Sequence, residues 1–170
     1  RQAVEKCKNF CTNFKTSYQN LFFYGTVGTG KTFLTNCIAK ECIEQGCSVL
    51  YFSAASLFAL LARNTFDYRA REELSALCAD LYSCDLLVID DLGTETATAV
   101  TLSHFFTCLN ERLLRQKSVI ISTNLSLEDC RNRYQDRIFS RIASNFEFCK
   151  LTGPDIRMCK KVSAVSGPVR

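Results

Sequence analysis

The chain has 170 residues, with no tryptophan, one methionine, two prolines and seven glycines. No apolar run approaches the roughly 18 residues that a membrane-spanning helix needs, so we expect no membrane segment. The N-terminal residues are polar and charged, and they do not form the apolar core of a signal peptide. The chain also lacks internal repeats and low-complexity tracts. These absences favour a cytoplasmic globular protein, and the length suits one domain with a full core.

Cysteine is abundant, but its arrangement indicates neither a zinc site nor a disulfide framework. The eleven cysteines are scattered along the chain, none forms a Cys-x-x-Cys pair, and His104 is the single histidine. Structural zinc sites take four ligands, mostly from these two residue types, so the spacing offers few options. Cys37 and Cys108 fall on apolar faces of predicted helices, where we expect them to act as small hydrophobic side chains.

The most informative segment is Gly25–Thr32 (GTVGTGKT), which joins an apolar run at 21–24 to a helical pattern. Its glycines let successive N–H groups point at phosphate oxygens, and the next helix presents its positive end to them. The Lys31 ammonium can reach the β- and γ-phosphates, and the Thr32 hydroxyl can ligate Mg²⁺. The alternative is a glycine-rich turn that only joins a strand to a helix. We predict a bound nucleoside triphosphate, with contacts from Gly25, Thr26, Val27, Gly28, Thr29, Gly30, Lys31, Thr32 and Phe33.

Two carboxylates, Asp90 and Asp91, follow an apolar run that has the length of a buried parallel strand. Open α/β sheets hold their ligands at the carboxyl ends of such strands. We predict that Asp90 holds Mg²⁺, usually through water, and that Asp91 orients or deprotonates an attacking water. A strand-end turn or a helix cap would be the simpler interpretation of an isolated pair. The phosphate-loop pattern at 25–32 favours the metal site.

Strand and helix patterns alternate throughout the chain. Strands are predicted at about 20–24, 48–52, 84–90, 118–123 and 145–151, and helices at about 1–16, 31–45, 54–63, 68–81, 97–116, 127–133 and 135–143. This alternation implies a parallel sheet with helices on both faces. We expect a single domain over 1–170, with a lead-in helix at about 1–17 and a frayed tail at about 159–170. Because the chain begins with Arg1, we also expect a fragment that lacks an upstream region.

Polar residues in the second half leave more than one interpretation open. Asn124 ends a predicted strand, where it can hold an attacking water or can instead form a helix N-cap or Asx turn. Arg137 and Arg141 are four residues apart and share a helix face. One of them can reach the γ-phosphate of a neighbouring subunit, although a solvated face is the usual role of such charges. Arg157 follows the last strand and indicates nothing by itself.

Together and in this order, the motifs resemble those of AAA+ ATPases. More narrowly, the chain resembles the bacterial helicase loaders of the DnaC/DnaI type and their transposition relative IstB, over about residues 18–158. The resemblance implies a five-stranded parallel sheet sandwiched by helices, the P-loop NTPase fold of AAA+ type, with a reduced or absent lid. It also implies that the Asn124 strand lies between the loop strand and the Asp90 strand. The matching segments are GTVGTGKT (25–32), LLVIDDLGTE (86–95), STN (122–124), DRIFSRI (136–142) and GPDIR (153–157).

The resemblance assigns roles to the residues of the predicted phosphate and metal site. Lys31 and Thr32 would contact phosphate and Mg²⁺, and Asp90 would support the metal. Asp91 would take the place of the catalytic carboxylate, where many AAA+ proteins have glutamate. Asn124 would be the residue called sensor 1.

Arginines would complete the site according to the same resemblance. Arg157 would be sensor 2, and Arg141 would be the arginine finger that acts on a neighbouring subunit, with Arg137 as the fallback. The chain would therefore self-associate through the nucleotide site.

A contact with single-stranded DNA is a further implication of the resemblance. In these loaders an extra helix after the second strand often contributes to it, which here corresponds to roughly 56–71. The net charge of +4 permits such a contact without demonstrating it. Phe66 and Tyr68 can stack on bases or can belong to the core. The alternative interpretation of the whole segment is an ordinary surface helix without DNA contact. The candidate phosphate contacts are Arg63, Arg69 and Arg71.

The sequence thus predicts an ATPase domain of a replicative helicase loader, which binds ATP or ADP with Mg²⁺ and acts as a slow switch. Its expected partners are single-stranded DNA, further copies of itself, and the replicative helicase through the upstream region. Two alternatives stay open. One is an IstB-like ATPase that assists a transposase, and the other is a nucleotide-binding scaffold with little turnover.

Overall fold

A computed structural model of the chain describes residues 2–62 and 68–157, without the side chains of residues 68–71 and 74. The predicted tail at 159–170 lies outside the described residues. The described strands are β1 (Leu21–Gly25), β2 (Val49–Ser53), β3 (Leu86–Leu92), β4 (Ser118–Thr123) and β5 (Glu147–Leu151). The described helices are α1 (Gln2–Asn13), α2 (Lys31–Glu44), α3 (Ala54–Leu61), α4 (Tyr68–Ser83), α5 (Ala99–Leu114) and α6 (Leu127–Asn145).

The five strands form one parallel sheet in the order β2-β3-β4-β1-β5. Ile120 of β4 lies in register with Leu21 of β1 on one side and with Val88 of β3 on the other. The predicted position of β4 between these two strands is therefore confirmed. Because the strands are parallel, the carboxyl ends of β1, β3 and β4 meet at one edge of the sheet.

Side chains alternate along the strands and build a core on each face of the sheet. Leu86 and Val88 belong to the cluster that α1 and α2 cover. Leu87 and Ile89, one residue further along in each case, belong to the larger cluster with α3, α5 and α6. Because both faces are buried, β3 reads as a continuous apolar run, as expected for a central parallel strand. The predicted α/β sandwich is confirmed.

Local capping explains where two helices on the larger core begin. The Thr98 side chain accepts from the Thr101 N–H and the two residues form a capping box at the start of α5. Ser126 caps α6 by accepting from the Asp129 N–H. Gln135 bends α6 with a φ of 65°, which matches the break predicted between 133 and 135.

None of the helices in residues 2–62 and 68–157 is both long enough and apolar enough to cross a lipid bilayer. After β5 the described chain continues only through residues 152–157, and this segment returns to the loop between β1 and α2.

Candidate functional site

The loop between β1 and α2 leaves the start of α2 open to a ligand. Gly30 is the N-cap of α2, in the left-handed conformation, and no side chain caps the helix. The first N–H groups of a helix have no partner within the helix, and they carry the positive end of its dipole. An anion such as a phosphate group is the ligand that suits this end.

Lys31 is almost fully buried beneath this loop. It is 4% exposed, and its ammonium donates to the carbonyl oxygens of Gly25 at 2.9 Å and Thr26 at 2.7 Å. Burial lowers the pKa of Lys31, while the charges of Asp91 and Asp90 oppose that shift. The ammonium is thus held by backbone oxygens next to the two predicted carboxylates.

Asp90 lies at the buried end of β3, and its hydrogen bonds link this strand to β4 and to the first turn of α2. Its Oδ1 accepts from Thr32 Oγ1 at 3.3 Å and also from Ser122 Oγ of β4. Ser122 Oγ accepts in turn from the Asp91 N–H at 2.9 Å. The hydroxyl of a β4 residue therefore fixes both carboxylate-bearing residues of β3.

The donor set around Asp90 fits Mg²⁺. Carboxylate and hydroxyl oxygens are hard ligands, and Mg²⁺ is usually held by one or two carboxylates together with water and substrate phosphates. Within the described part of the chain, no three histidine, cysteine, aspartate or glutamate side chains form a metal-binding group. Thr32 and Asp90 would hold such an ion, which would screen phosphate charge.

Asp91 faces outward at this edge because the strand is irregular there. Its φ of 55° lies in the left-handed region, and the pairing of β3 with β4 shifts between Ile89 and Leu92. Asn124 Nδ2 donates to Asp91 Oδ1 at 3.3 Å. The alternative that Asn124 caps the next helix is wrong, since Ser126 is the N-cap of α6.

A cavity of about 400 Å³ opens at this edge and collects most of the predicted site. Asp90 does not line the cavity but lies beneath it, where its carboxylate accepts from Thr32 Oγ1 of the wall. The cavity is lined by Val27, Gly28, Gly30, Lys31, Thr32, Phe33, Asn36, Asp91, Asn124, Ile156 and Arg157.

The segment after β5 closes one side of the cavity. The Ile156 N–H donates to the Gly28 carbonyl at 3.0 Å. Asp155 Oδ1 accepts from the Arg157 N–H at 2.8 Å, and the Asp155 carboxylate packs against Gly28. This contact brings Arg157, which the sequence alone left without a role, to the cavity wall.

The predicted arginines of α6 lie away from this cavity. The guanidinium carbons of Arg137 and Arg141 lie 4.8 Å and 6.0 Å from the ring centroid of Phe106, on the exposed side of α6. The candidate DNA contacts cannot be placed, because Arg63 lies outside the described residues and the side chains of Arg69 and Arg71 do too.

Sequence reasoning missed three polar residues at the site. Ser122 lies in the matching segment STN (122–124), but the sequence predicted no role for it. Asn36 lines the cavity and its amide donates to the Thr32 carbonyl at 2.7 Å. Its position four residues after Thr32 was an available signal, since such residues share a helix face. The Tyr51 hydroxyl bonds to Thr35 at 2.8 Å, and burial raises the pKa of Tyr51 to about 12.

Comparison with known proteins identifies relatives whose names refer to DNA replication. The replication initiator DnaA of Aquifex aeolicus is 29% identical over 147 residues, which are 86% of this chain and 35% of DnaA. The replicative helicase loader DnaC of Escherichia coli is 26% identical over 140 residues, which are 82% of this chain and 56% of DnaC. The chain thus spans about a third to just over half of these relatives.

Solved structures share the fold. DnaA bound to AMPPCP and single-stranded DNA superposes with a TM-score of 0.81 at 24% identity, covering 100% of this chain and 53% of the chain in that structure. The DnaC helicase loader superposes with a TM-score of 0.72 at 23% identity, covering 89% of each chain.

The model of the family described as IstB-like ATP binding protein matches residues 5–162. This match spans the phosphate loop, both aspartates, Asn124 and the segment that closes the cavity. The chain therefore belongs to the family of IstB-like ATP-binding proteins, and it is homologous to the DnaC helicase loaders and the AAA+ domain of DnaA.

Proposed function

We propose that this chain is the ATP-binding and ATP-hydrolysing domain of a DNA replication helicase loader, and that it acts as an ATP-dependent switch. The observation that carries the proposal is the convergence of Lys31, Thr32, Asp90, Asp91 and Asn124 at one edge of the sheet. Four of these side chains line the same cavity, and Asp90 supports it from below. Such convergence is what phosphoryl transfer requires, because its catalysis is mainly positioning and charge stabilisation.

The geometry supports a division of roles among these residues. Lys31 would move from its carbonyl partners to the phosphates, and Thr32 with Asp90 would hold Mg²⁺. Asp91 would accept a proton from the attacking water, and the Asn124 amide beside it would orient that water. Arg157 would act on the same nucleotide from the cavity wall.

Hydrolysis would need a second copy of the chain. Arg141 is exposed on α6 and does not line its own cavity, so it would reach the nucleotide of a neighbouring subunit. An arginine supplied in this way stabilises charge in the transition state and can raise turnover by about 10³-fold or more.

The proposed partners are a replicative helicase and single-stranded DNA. Support comes from the DnaC relative, which is named a replicative helicase loader, and from the DnaA structure of the same fold, which holds single-stranded DNA. The contribution of Arg63, Arg69 and Arg71 stays a prediction. A cytoplasmic location likewise stays a prediction.

ATP turnover per molecule, measured over a range of protein concentrations with and without single-stranded DNA, tests the proposal. We expect turnover to rise with concentration and to respond to DNA. Arg141→Ala should bind nucleotide normally but lose on the order of 10³-fold in turnover at high concentration. Arg131→Ala is the matched control, since Arg131 is exposed on the same helix and pairs with Asp136 at 2.7 Å.

Turnover that depends neither on protein concentration nor on Arg141 would contradict the proposal that two copies of the chain share the nucleotide site. Nucleotide binding without turnover in any condition would support the scaffold alternative. A second candidate function, an ATPase that assists a transposase, is favoured by the match to the IstB-like family. Stimulation by duplex DNA rather than by single-stranded DNA would support it.

A further inference from the structure

Glu95 is a buried carboxylate that lies outside the cavity and joins two parts of the molecule. Its side chain has no exposed surface. The carboxylate accepts from the Gly93 N–H at 2.7 Å, the Tyr134 hydroxyl at 2.5 Å and Arg133 Nε at 3.2 Å. Arg133 also donates to the Glu95 carbonyl. A buried charge destabilises the fold unless it keeps such partners, so we expect Glu95 to hold all of them in the folded protein.

On one side, Glu95 completes the turn that presents Asp91. The N–H and the hydroxyl of Thr94 donate to the Asp91 carbonyl at 3.3 Å and 2.9 Å. The Glu95 carboxylate accepts from the preceding N–H of that turn, at Gly93. Asp91 itself has a φ of 55°, which residues other than glycine rarely adopt. The turn closed by Glu95 therefore helps to keep Asp91 in an unfavourable conformation.

On the other side, Glu95 holds α6 at the point where this helix bends. Arg133 and Tyr134 are the last residues before Gln135, whose φ of 65° marks the bend. Beyond it, Arg137 and Arg141 lie over Phe106. The partners of Glu95 therefore hold the end of the first half of α6, immediately before the bend.

We infer that Glu95 is a positioning residue that aligns the Asp91 turn with the arginine-bearing half of α6. Glu95 would determine the position of Asp91 in a subunit's own cavity and, at the same time, the position of Arg141, which reaches the neighbouring subunit. This inference rests on the proposed function. The simpler role is an anchor for folding, which would affect stability without any link to Arg141.

The test is Glu95→Gln in the full chain, with ATP turnover and nucleotide affinity measured side by side. Glutamine keeps the size of the side chain and one carbonyl acceptor but removes the charge opposite Arg133. We expect turnover at high protein concentration to fall by on the order of 10- to 100-fold, because misplaced reacting groups react more slowly. Nucleotide affinity should change by about twofold or less.

The second arm places Glu95→Gln in the Arg141→Ala background. If Glu95 acts partly through Arg141, the combined loss will be much smaller than the product of the two single losses.

Tyr134→Phe, which removes one donor only, should give a weaker loss in the same direction if Glu95→Gln fails to fold. Glu111→Gln is the control, because Glu111 also pairs with an arginine, Arg115 at 3.1 Å, far from the turn.

Multiplicative losses, or a loss that merely follows the fall in melting temperature, would overturn the inference. So would unchanged turnover in folded Glu95→Gln and Tyr134→Phe. If the wild-type chain itself shows no turnover, both the proposed function and the inference fail, and this outcome is visible in the wild-type measurement alone.

Discussion

Gly28 is a residue at which the predicted phosphate loop contacts the segment after β5. Its φ is 76°, and an added Cβ would lie 2.1 Å from Cγ of Asp155. Its carbonyl also accepts from the Ile156 N–H. The backbone conformation at this position therefore favours glycine, and a larger side chain would have to displace the Asp155 carboxylate.

Gly28→Ala should weaken nucleotide binding by on the order of 10-fold, because the new methyl group must displace Asp155 and distort the loop. Nucleotide titration calorimetry measures this effect. Gly46→Ala is a matched control, since Gly46 has a φ of 80° but nothing lies within 4 Å of its added Cβ. Both variants should lose about 1 kcal/mol of stability through backbone strain.

Equal nucleotide affinity in Gly28→Ala and Gly46→Ala would contradict this account of the loop. Removing the obstruction with Asp155→Ala should restore part of the affinity of Gly28→Ala.

At the residue scale, the part of the site that is built by sequence neighbours could be predicted. Contacts between residues that are distant in sequence could not. The order of glycines, Lys31 and Thr32 alone indicates a phosphate loop, since one short segment builds it. The hydroxyl of Ser122 meets Asp90 only because β4 lies beside β3, and Asp155 meets Gly28 only because the chain returns after β5. Neither contact has a local sequence signal.

At the scale of elements, β3 carries charge at both of its ends. Asp91 faces the cavity at one end, and Asp85 precedes the strand at the other. Lys117 Nζ donates to Asp85 Oδ1 at 2.8 Å, and the N–H and hydroxyl of Ser48 donate to Oδ2 at 2.9 Å and 2.8 Å. Lys117 and then Ser48 lower the pKa of Asp85 to about 2, from an ordinary value of 3.8.

This lowered pKa predicts a pH-dependent contribution to stability. A carboxyl group whose pKa is lower in the folded state stabilises the fold above its ordinary pKa, and this contribution is lost as the pH falls towards the folded value. Asp85→Asn should therefore lower the melting temperature at pH 5 to 7, and the difference from wild type should shrink between about pH 4 and pH 2.

Thermal unfolding followed by circular dichroism across this range is the measurement. Asp80→Asn is the control, since Asp80 is exposed on α4 and has no ion pair among the described residues. A difference from wild type that stays constant from pH 7 to pH 2 would contradict the assigned role of Asp85.

The elements themselves could be predicted in type and order, because apolar periodicity distinguishes buried strands from amphipathic helices. Their ends could be predicted only in part: the predicted strand at 118–123 has the bounds of β4, whereas other ends differ. The predicted strand at 84–90 is β3, which begins at Leu86 and continues to Leu92 through the irregularity at Asp91. The first helix ends at Asn13 rather than near 16, because the N–H groups of Thr16 and Ser17 turn back to the Asn13 carbonyl.

At the scale of the whole molecule, the strand order determines the site. Placing β4 between β1 and β3 brings Asn124, Lys31 and Asp91 to one edge. Periodicity alone predicts a parallel sheet but not this order, which followed from the family resemblance. The exposed position of Arg141, outside its own cavity, is consistent with a site completed by a second copy.

The most direct test of the account is the affinity for a non-hydrolysable ATP analogue with Mg²⁺, measured by calorimetry for wild type and Lys31→Ala. Lys40→Ala is the matched control, because Lys40 lies on the same helix, exposed, with Glu44 at 3.6 Å. We predict that Lys31→Ala loses affinity by on the order of 100-fold or more, since a charge-assisted contact to phosphate is removed. Lys40→Ala should bind like wild type. Equal affinity in the wild type and Lys31→Ala would contradict the assignment of this edge of the sheet as a nucleotide site.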